Sequence, residues 1–322
     1  MASVLLIVLL VSACQKSTTE LTDVANLQSN LTDTKKENKC QLTYAIDWGG
    51  YPNWFHYNDK GLADEWRIDF GSGIPDIITM VYDHNNHLSN AQWHYDGRLN
   101  ATMEFVWTGN LITTEHWDFG GYLFDVINTY NPRGKMTKRA TNDGYFTTFE
   151  YTPEGNHLKD IIYFKDEPLQ SDEYSYNQPN KNPFLAIQGL PYLFLYFNPI
   201  QTKWFATSDR FTIYDNGNPV VVLDLDPSKT VMQITHQNYL SAATYYDKIS
   251  GEYLEKNFEY QNCGPGSNAA AGAKNSTSAT TFYKSKKLSK PEPLLLGTPR
   301  QIRTKIEALK KQAIEMKGIK LQ

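Results

Sequence analysis

The chain has 322 residues, with 31 basic and 35 acidic side chains and a net charge of -4. Apolar residues make up 40% and aromatics 13%, which excludes a wholly disordered chain, because such chains are poor in aromatics. No uncharged apolar run reaches the roughly 18 residues of a spanning helix, which excludes a multi-span helical membrane protein, and the near-neutral total argues against wholesale nucleic-acid binding.

Residues 1–14 read as a lipoprotein signal peptide. Val4 to Val11 is an apolar run, and Ser12 and Ala13 put small residues before Cys14. The run is too short to span a bilayer. It departs from the usual pattern in one respect, since Met1, Ala2 and Ser3 bring no Lys or Arg. An ordinary secretory signal and a buried strand are the plainer alternatives. On the lipoprotein reading, Cys14 becomes the mature N-terminus and ties the protein to membrane lipid through its acyl chains. Two or more chains anchor stably, where one holds only marginally. Residues 15–39 are polar and lack any apolar period, so they read as a flexible tether.

Cys40 and Cys263 bracket the segment that reads as the folded domain. An exported compartment permits a disulfide between them, which would close a very long loop and add about 5 kcal/mol at most by chain entropy. The alternative is two separate thiols. No Cys-x-x-Cys or neighbouring His pair points to a metal.

A self-similar unit fills residues 50 to 260. Its clearest copies run Phe55 to Leu62, Val81 to Leu88, Phe105 to Leu111, Thr129 to Met136 and Phe149 to Leu158, with a late copy from Phe211 to Pro219. The key aromatics at 57, 82, 107, 130 and 151 are spaced 25, 25, 23 and 21 apart, a period that marks repeat architecture. Half-steps lie between them, at Trp93 to Leu99 and Trp117 to Tyr122. Turns therefore recur about every 10 to 13 residues and each period holds two strands. Aromatic and β-branched residues alternate into each turn, as in Thr147-Thr148-Phe149-Glu150-Tyr151. Asp-Gly, Asn-Gly and Pro-x-Gly clusters supply the positive φ of tight turns. The reading is an all-β fold: an antiparallel meander of a dozen or more strands, curled into an open barrel or wrapped sheet.

The order of aromatic, Asp or Asn, short turn, Gly and apolar residue resembles the YD (RHS-like) repeat. With the lipoprotein start, the chain resembles Bacteroidota lipoproteins of unknown function that carry degenerate YD-like repeats. The likeness covers residues 40–263, and copies without Gly, such as Asp83 to His87, depart from it. It implies that the Asn182-Pro183-Phe184 stretch opens a mid-domain insertion, after which hairpins resume at Phe211. It implies no catalytic residues. Surface-exported lipoproteins of that group carry acids just after the cysteine; their absence here leaves periplasmic and surface-facing placement at the outer membrane both open.

Residues 183–205 form the apolar insertion, broken by Pro183, Pro191 and Pro199. It reads as a short helix or loop plugging one end of the sheet core, or else as an exposed docking patch. Residues 264–297 are a low-complexity linker. From Lys284 to Gln322 there are 11 Lys plus Arg against 3 Glu, a net of +8, which leaves -4 - 8 = -12 for the rest. Within it, residues 298–318 read as a basic amphipathic helix, opened by Thr298 and Pro299, with Ile302, Ile306, Leu309, Ala313 and Met316 on one stripe. It would meet an acidic partner or an anionic membrane, pack on the main domain, or stay a mobile tail.

No His-Glu-x-x-His helix, Gly-x-Ser-x-Gly elbow or phosphate-cradling loop appears. Asp224 and Asp226 share a strand face and could form a carboxylate pair, although a solvated sheet edge is the plainer reading. Trp66, Trp93, Trp107 and Trp117 are candidates for stacking on sugar rings if they fall on the outer face; otherwise they fill the core. These observations predict a lipid-anchored cell-envelope protein that acts as a binding or scaffold module. It is no enzyme, needs no cofactor or metal, and binds no nucleic acid. Its expected partners are membrane lipid, an envelope protein or a polysaccharide. The alternatives are a glycan-binding lipoprotein for nutrient capture, which requires solvent-facing tryptophans, and a hydrolase, which requires converging carboxylates or His in a pocket.

Overall fold

The computed structural model describes residues 40–46, 51–177, 180–194, 202–215, 217–234 and 239–263. Cys14 with the signal segment, the tether, the linker and the basic C-terminal segment lie outside the described residues.

Alternation of aromatic or β-branched residues with polar ones builds seventeen strands in one sheet. The first nine are β1 (Gln41–Ile46), β2 (Pro52–Tyr57), β3 (Ala63–Ile68), β4 (Asp76–Tyr82), β5 (Leu88–Tyr95), β6 (Arg98–Thr108), β7 (Leu111–Phe119), β8 (Tyr122–Tyr130) and β9 (Met136–Thr141). Then follow β10 (Tyr145–Tyr151), β11 (His157–Phe164), β12 (Glu167–Ser175), β13 (Ser208–Asp215), β14 (Asn218–Asp224), β15 (Val231–Ile234), β16 (Leu240–Tyr246) and β17 (Tyr253–Gln261). From β1 to β14 each strand pairs antiparallel with the next. β15, β16 and β17 form a second meander, and β17 returns to pair with β1. The sheet is not closed into a barrel. Among the described residues β14 and β16 share no ladder, only an isolated bridge between Leu225 and Asp247.

The repeat has a physical basis. Tyr57, Tyr82, Tyr130 and Tyr151 each donate a hydroxyl hydrogen bond backwards, to the carbonyls of Leu42 (2.6 Å), Ala63 (2.5 Å), Ile112 (2.8 Å) and Met136 (2.7 Å). Trp107 does the same with its indole N–H, to Leu88 O at 2.8 Å. The aromatic spacing is the spacing of these clamps between hairpins. The Asn or Asp after the aromatic holds the turn. Asn58 Oδ1 accepts from the N–H of Lys60 and Leu62, Asp83 Oδ1 from Asn85 and His87, and Asn131 Oδ1 from Arg133 and Lys135. Gly134 takes φ +70° in its turn; in the copy without Gly, Asn86 takes that role at φ +63°. The departure at Asp83 to His87 thus keeps the backbone of the repeat.

The main core lies between the inner face of the sheet and the insertion, and Phe211, Ile213 and Val222 form a smaller separate cluster on β13 and β14. Asn182 caps a 3-10 turn at Pro183–Ala186, its Oδ1 accepting from Phe184 N. Phe194 then sits edge-on to both Trp66 and Phe105, while Phe205 sits edge-on to Phe258. Ala63 N donates to Gln188 O at 2.9 Å. Leu190, Leu193 and Phe194 are buried, so the described part of the insertion fills the interior rather than forming an outer patch.

Candidate functional site

The interior holds two polar clusters. In the first, Glu115 on β7 is fully buried and accepts from Arg139 Nη2 (2.7 Å), Trp117 Nε1 (3.0 Å), Tyr192 Oη (2.7 Å) and Asn128 Nδ2 (3.0 Å). Arg139 also donates to the carbonyl of Phe194 at 2.9 Å. Tyr192 and Phe194 belong to the insertion, so this network bolts the plug to the wall. A buried ion pair survives desolvation only when its remaining hydrogen-bonding capacity is met, as it is here. Burial first, and the neighbouring Glu115 charge second, push the Tyr192 phenol well above its usual range.

The second cluster lies on β11, β12 and β13. Asp160 faces Asp172 across one strand pair, and Tyr174 faces Asp209 across the next. His157 Nε2 lies 3.5 Å from Asp160 Oδ2. Burial, then the charges of Asp172, Asp160 and Asp209, push the Tyr174 phenol well up. The residue types suit proton transfer, and every member is buried. Among the described residues no group of three or more His, Cys, Asp or Glu is placed to hold a metal ion.

Cys40 and Cys263 are joined by a disulfide, with S–S at 2.05 Å, and both are buried. Asp224 and Asp226 do not form a carboxylate pair. Asp224 is paired with Lys248 at 2.7 Å, and Asp226 accepts from the N–H and hydroxyl of Ser228 in a turn. Those two bonds to Ser228 lead in holding the Asp226 carboxyl below its usual range. The four tryptophans are not an outer row for sugars. Trp66, Trp93 and Trp117 are buried and Trp107 packs against the core. Their indole N–H groups are spent inside, on Asn53 (2.8 Å), Asp76 (2.6 Å), Glu115 and Leu88 O. The face of Trp107 stacks on His87 at 4.3 Å. The reason is parity: these tryptophans share the face of their strands that carries the core.

Ligand-accessible chemistry lies on the outer face. Glu150, Lys159, Glu173, Arg210 and Asp224 are successive cross-strand partners from β10 to β14, an alternating charge ladder with Lys159 to Glu173 at 2.7 Å. Such exposed pairs contribute ~0–1 kcal/mol each and mainly keep the face wetted. At the other end, Glu259 on β17, Tyr44 on β1, Trp54 on β2 and Arg67 on β3 are successive partners in one row. Trp54 is 40% exposed and its ring centroid is 5.7 Å from that of Tyr44. Arg67 Nε pairs with Glu65 at 2.7 Å on the same face. This row was missed in the sequence, although it carried a signal. Phe55 and Tyr57 are repeat aromatics of the inner face, so position 54 between Asn53 and Phe55 must face out.

No protein-family model matches the chain, and no curated protein matches it. Among solved structures, a porin-like protein from Bacteroides uniformis is similar at 10% identity and a TM-score of 0.42, covering 71% of this chain and 98% of that one. A porin-like protein from Bacteroides vulgatus is 8% identical, with a TM-score of 0.34, over 69% of this chain and 99% of that one. The Tc holotoxin pore of Photorhabdus luminescens is 8% identical, with a TM-score of 0.26, over 60% of this chain and 12% of that one. Likenesses this distant carry no function to the chain.

Proposed function

We propose that this protein is a lipid-anchored, non-enzymatic binding module of the bacterial outer membrane, working through its outer face. One observation carries the reading: the described part of its own insertion, bolted by Arg139, Glu115 and Tyr192, covers the inner face of the sheet. Contact with a partner then falls to the outer face. The apolar run ending in Ser12-Ala13-Cys14 supports the anchor, and the Cys40–Cys263 bond suits an oxidising compartment. The repeats and the start together support membership of the YD-repeat lipoproteins of Bacteroidota.

The test is fractionation of the native envelope beside a Cys14→Ala variant, followed by gentle detergent pull-down. The wild type should sediment with the outer membrane and the variant should be released. A variant that stays membrane-bound overturns the anchor. Turnover of a substrate by the purified protein, lost on Asp160→Asn, overturns the non-enzymatic reading.

A further inference from the structure

We infer that the row Glu259, Tyr44, Trp54 and Arg67 is a binding platform for a neutral glycan. This rests on the outer-face reading above and names the ligand class of that face. The four positions lie on adjacent strands, so three inter-strand steps separate the ends, about 14 Å. The two rings occupy the middle and charged side chains the flanks. That order matches a short oligosaccharide. A pyranose ring presents an apolar C–H face and a rim of hydroxyls. The C–H face covers the exposed indole and sheds water from both surfaces. The hydroxyls meet the guanidinium fork of Arg67, a planar set of donors, and the carboxylates of Glu65 and Glu259, which accept from O–H. Arg67 is half exposed and already oriented by its 2.7 Å bond to Glu65, so little ordering is left for the ligand to impose.

Charge decides between ligands that stack on aromatics. Residues 40–263 contain 15 Lys plus Arg and 28 Asp plus Glu, and 15 - 28 = -13. Setting aside the six buried acids (Asp76, Glu115, Asp160, Asp172, Asp209 and Asp247) and the two buried bases (Arg139 and Lys256) leaves 13 - 22 = -9, and a surface this acidic repels the phosphates of single-stranded nucleic acid and the carboxylates or sulfates of acidic polysaccharides. A neutral sugar polymer pays no such penalty. Burial, then the Glu259 charge, push the Tyr44 phenol up, which keeps it protonated and able to donate to a sugar oxygen. As packing alone the cross-strand pair contributes only about 0.2–1 kcal/mol. Removing Trp54 therefore leaves the sheet folded and isolates its role with ligand.

The experiment is affinity electrophoresis and calorimetry of the purified full-length protein against dextran, laminarin, xyloglucan and galactomannan. Polygalacturonate and single-stranded DNA form the anionic arms. At least one neutral polymer should bind, with an affinity unchanged between low and high salt. Trp54→Ala should weaken binding by about tenfold or more, Trp54→Phe should keep part of it, and Tyr95→Ala, an exposed aromatic elsewhere, should keep all of it. An unchanged melting temperature confirms that Trp54→Ala is folded. The inference is overturned if no neutral polymer binds, if Trp54→Ala binds as wild type, or if binding is confined to the anionic arms and fades with salt. Capture of a protein partner on this face without any glycan also overturns it. Fractionation of Cys14→Ala is independent of all these outcomes, so the anchor and the ligand class stand or fall separately.

Discussion

Arg139→Met tests the claim that a buried ion pair locks the insertion. Its side chain and that of Glu115 are 1% and 0% exposed, and they meet at 2.7 Å. The substitution keeps most of the volume and removes the charge. Glu115 retains Tyr192, Asn128 and Trp117 as donors but loses its counter-ion. Breaking one side of a buried pair costs about 3–5 kcal/mol, and the Phe194 carbonyl loses a donor as well. At roughly 2–4 °C per kcal/mol for a domain of this size, the melting temperature should fall by about 6–20 °C. Urea unfolding followed by tryptophan fluorescence gives the free energy, and limited proteolysis reports release of residues 183–205. Glu115→Gln in the same chain removes the orphaned charge, so the double variant should recover part of the loss, with a coupling above about 1 kcal/mol. A loss below about 1 kcal/mol in the single variant, or a double variant no better than the single, refutes the lock.

Gly189→Ala should destabilise by about 1–3 kcal/mol, because φ is +90° and the new Cβ would lie 2.8 Å from the Tyr82 hydroxyl, itself held by Ala63 O; an unchanged urea midpoint would show that the insertion does not seat there. Burial pushes the phenols of Tyr57, Tyr82, Tyr130, Tyr151 and Tyr176 up. The proton is held more tightly in the folded than in the unfolded chain, so their contribution is complete below about pH 10 and is lost as pH rises further. Tyrosinate absorbance should therefore show one class that titrates freely and another that ionises only as circular dichroism is lost; a single class with the fold intact contradicts this. Replacing both Cys40 and Cys263 by Ser should lower stability by up to about 5 kcal/mol, since the bond spans 223 residues; a change under about 1 kcal/mol in urea would show that the unfolded chain is not constrained as supposed.

The architecture was legible because the clamp puts an aromatic at a fixed place in five successive repeats, spaced 21 to 25 residues apart in the sequence. The apolar density of residues 183–194 likewise announced a segment that must be covered. Local patterns did not reveal the lock. Ile112 and Glu115, of opposite parity, both face inward because the ladder between β6 and β7 shifts register near Val106 and Trp107, and a bulge has no marker in a run such as Ile112-Thr113-Thr114-Glu115. Nor did they reveal that Arg139, Asn128 and Tyr192 meet, since Tyr192 lies 77 residues from Glu115. Strand parity decides which of the two readings the tryptophans take, core or sugar stacking. Trp66 lies between Glu65 and Arg67, both on the outer face, so it must point in. Trp54, one residue before an inner-face Phe, must point out.

The pairing of β1 with β17 bears on the order of events during biogenesis. A chain delivered from its N-terminal side presents Cys40 first and Cys263 only after 223 further positions. Between those moments the first strand has β2 on one side and a bare edge on the other. The final strand covers that edge, and because β14 and β16 share no ladder among the described residues, its seat rests on the β1–β17 pairing and the disulfide. Oxidation then marks the arrival of the last strand: a chain whose β17 has reached β1 is sealed, and one whose β17 has not keeps reduced thiols that thiol-reactive labels can find.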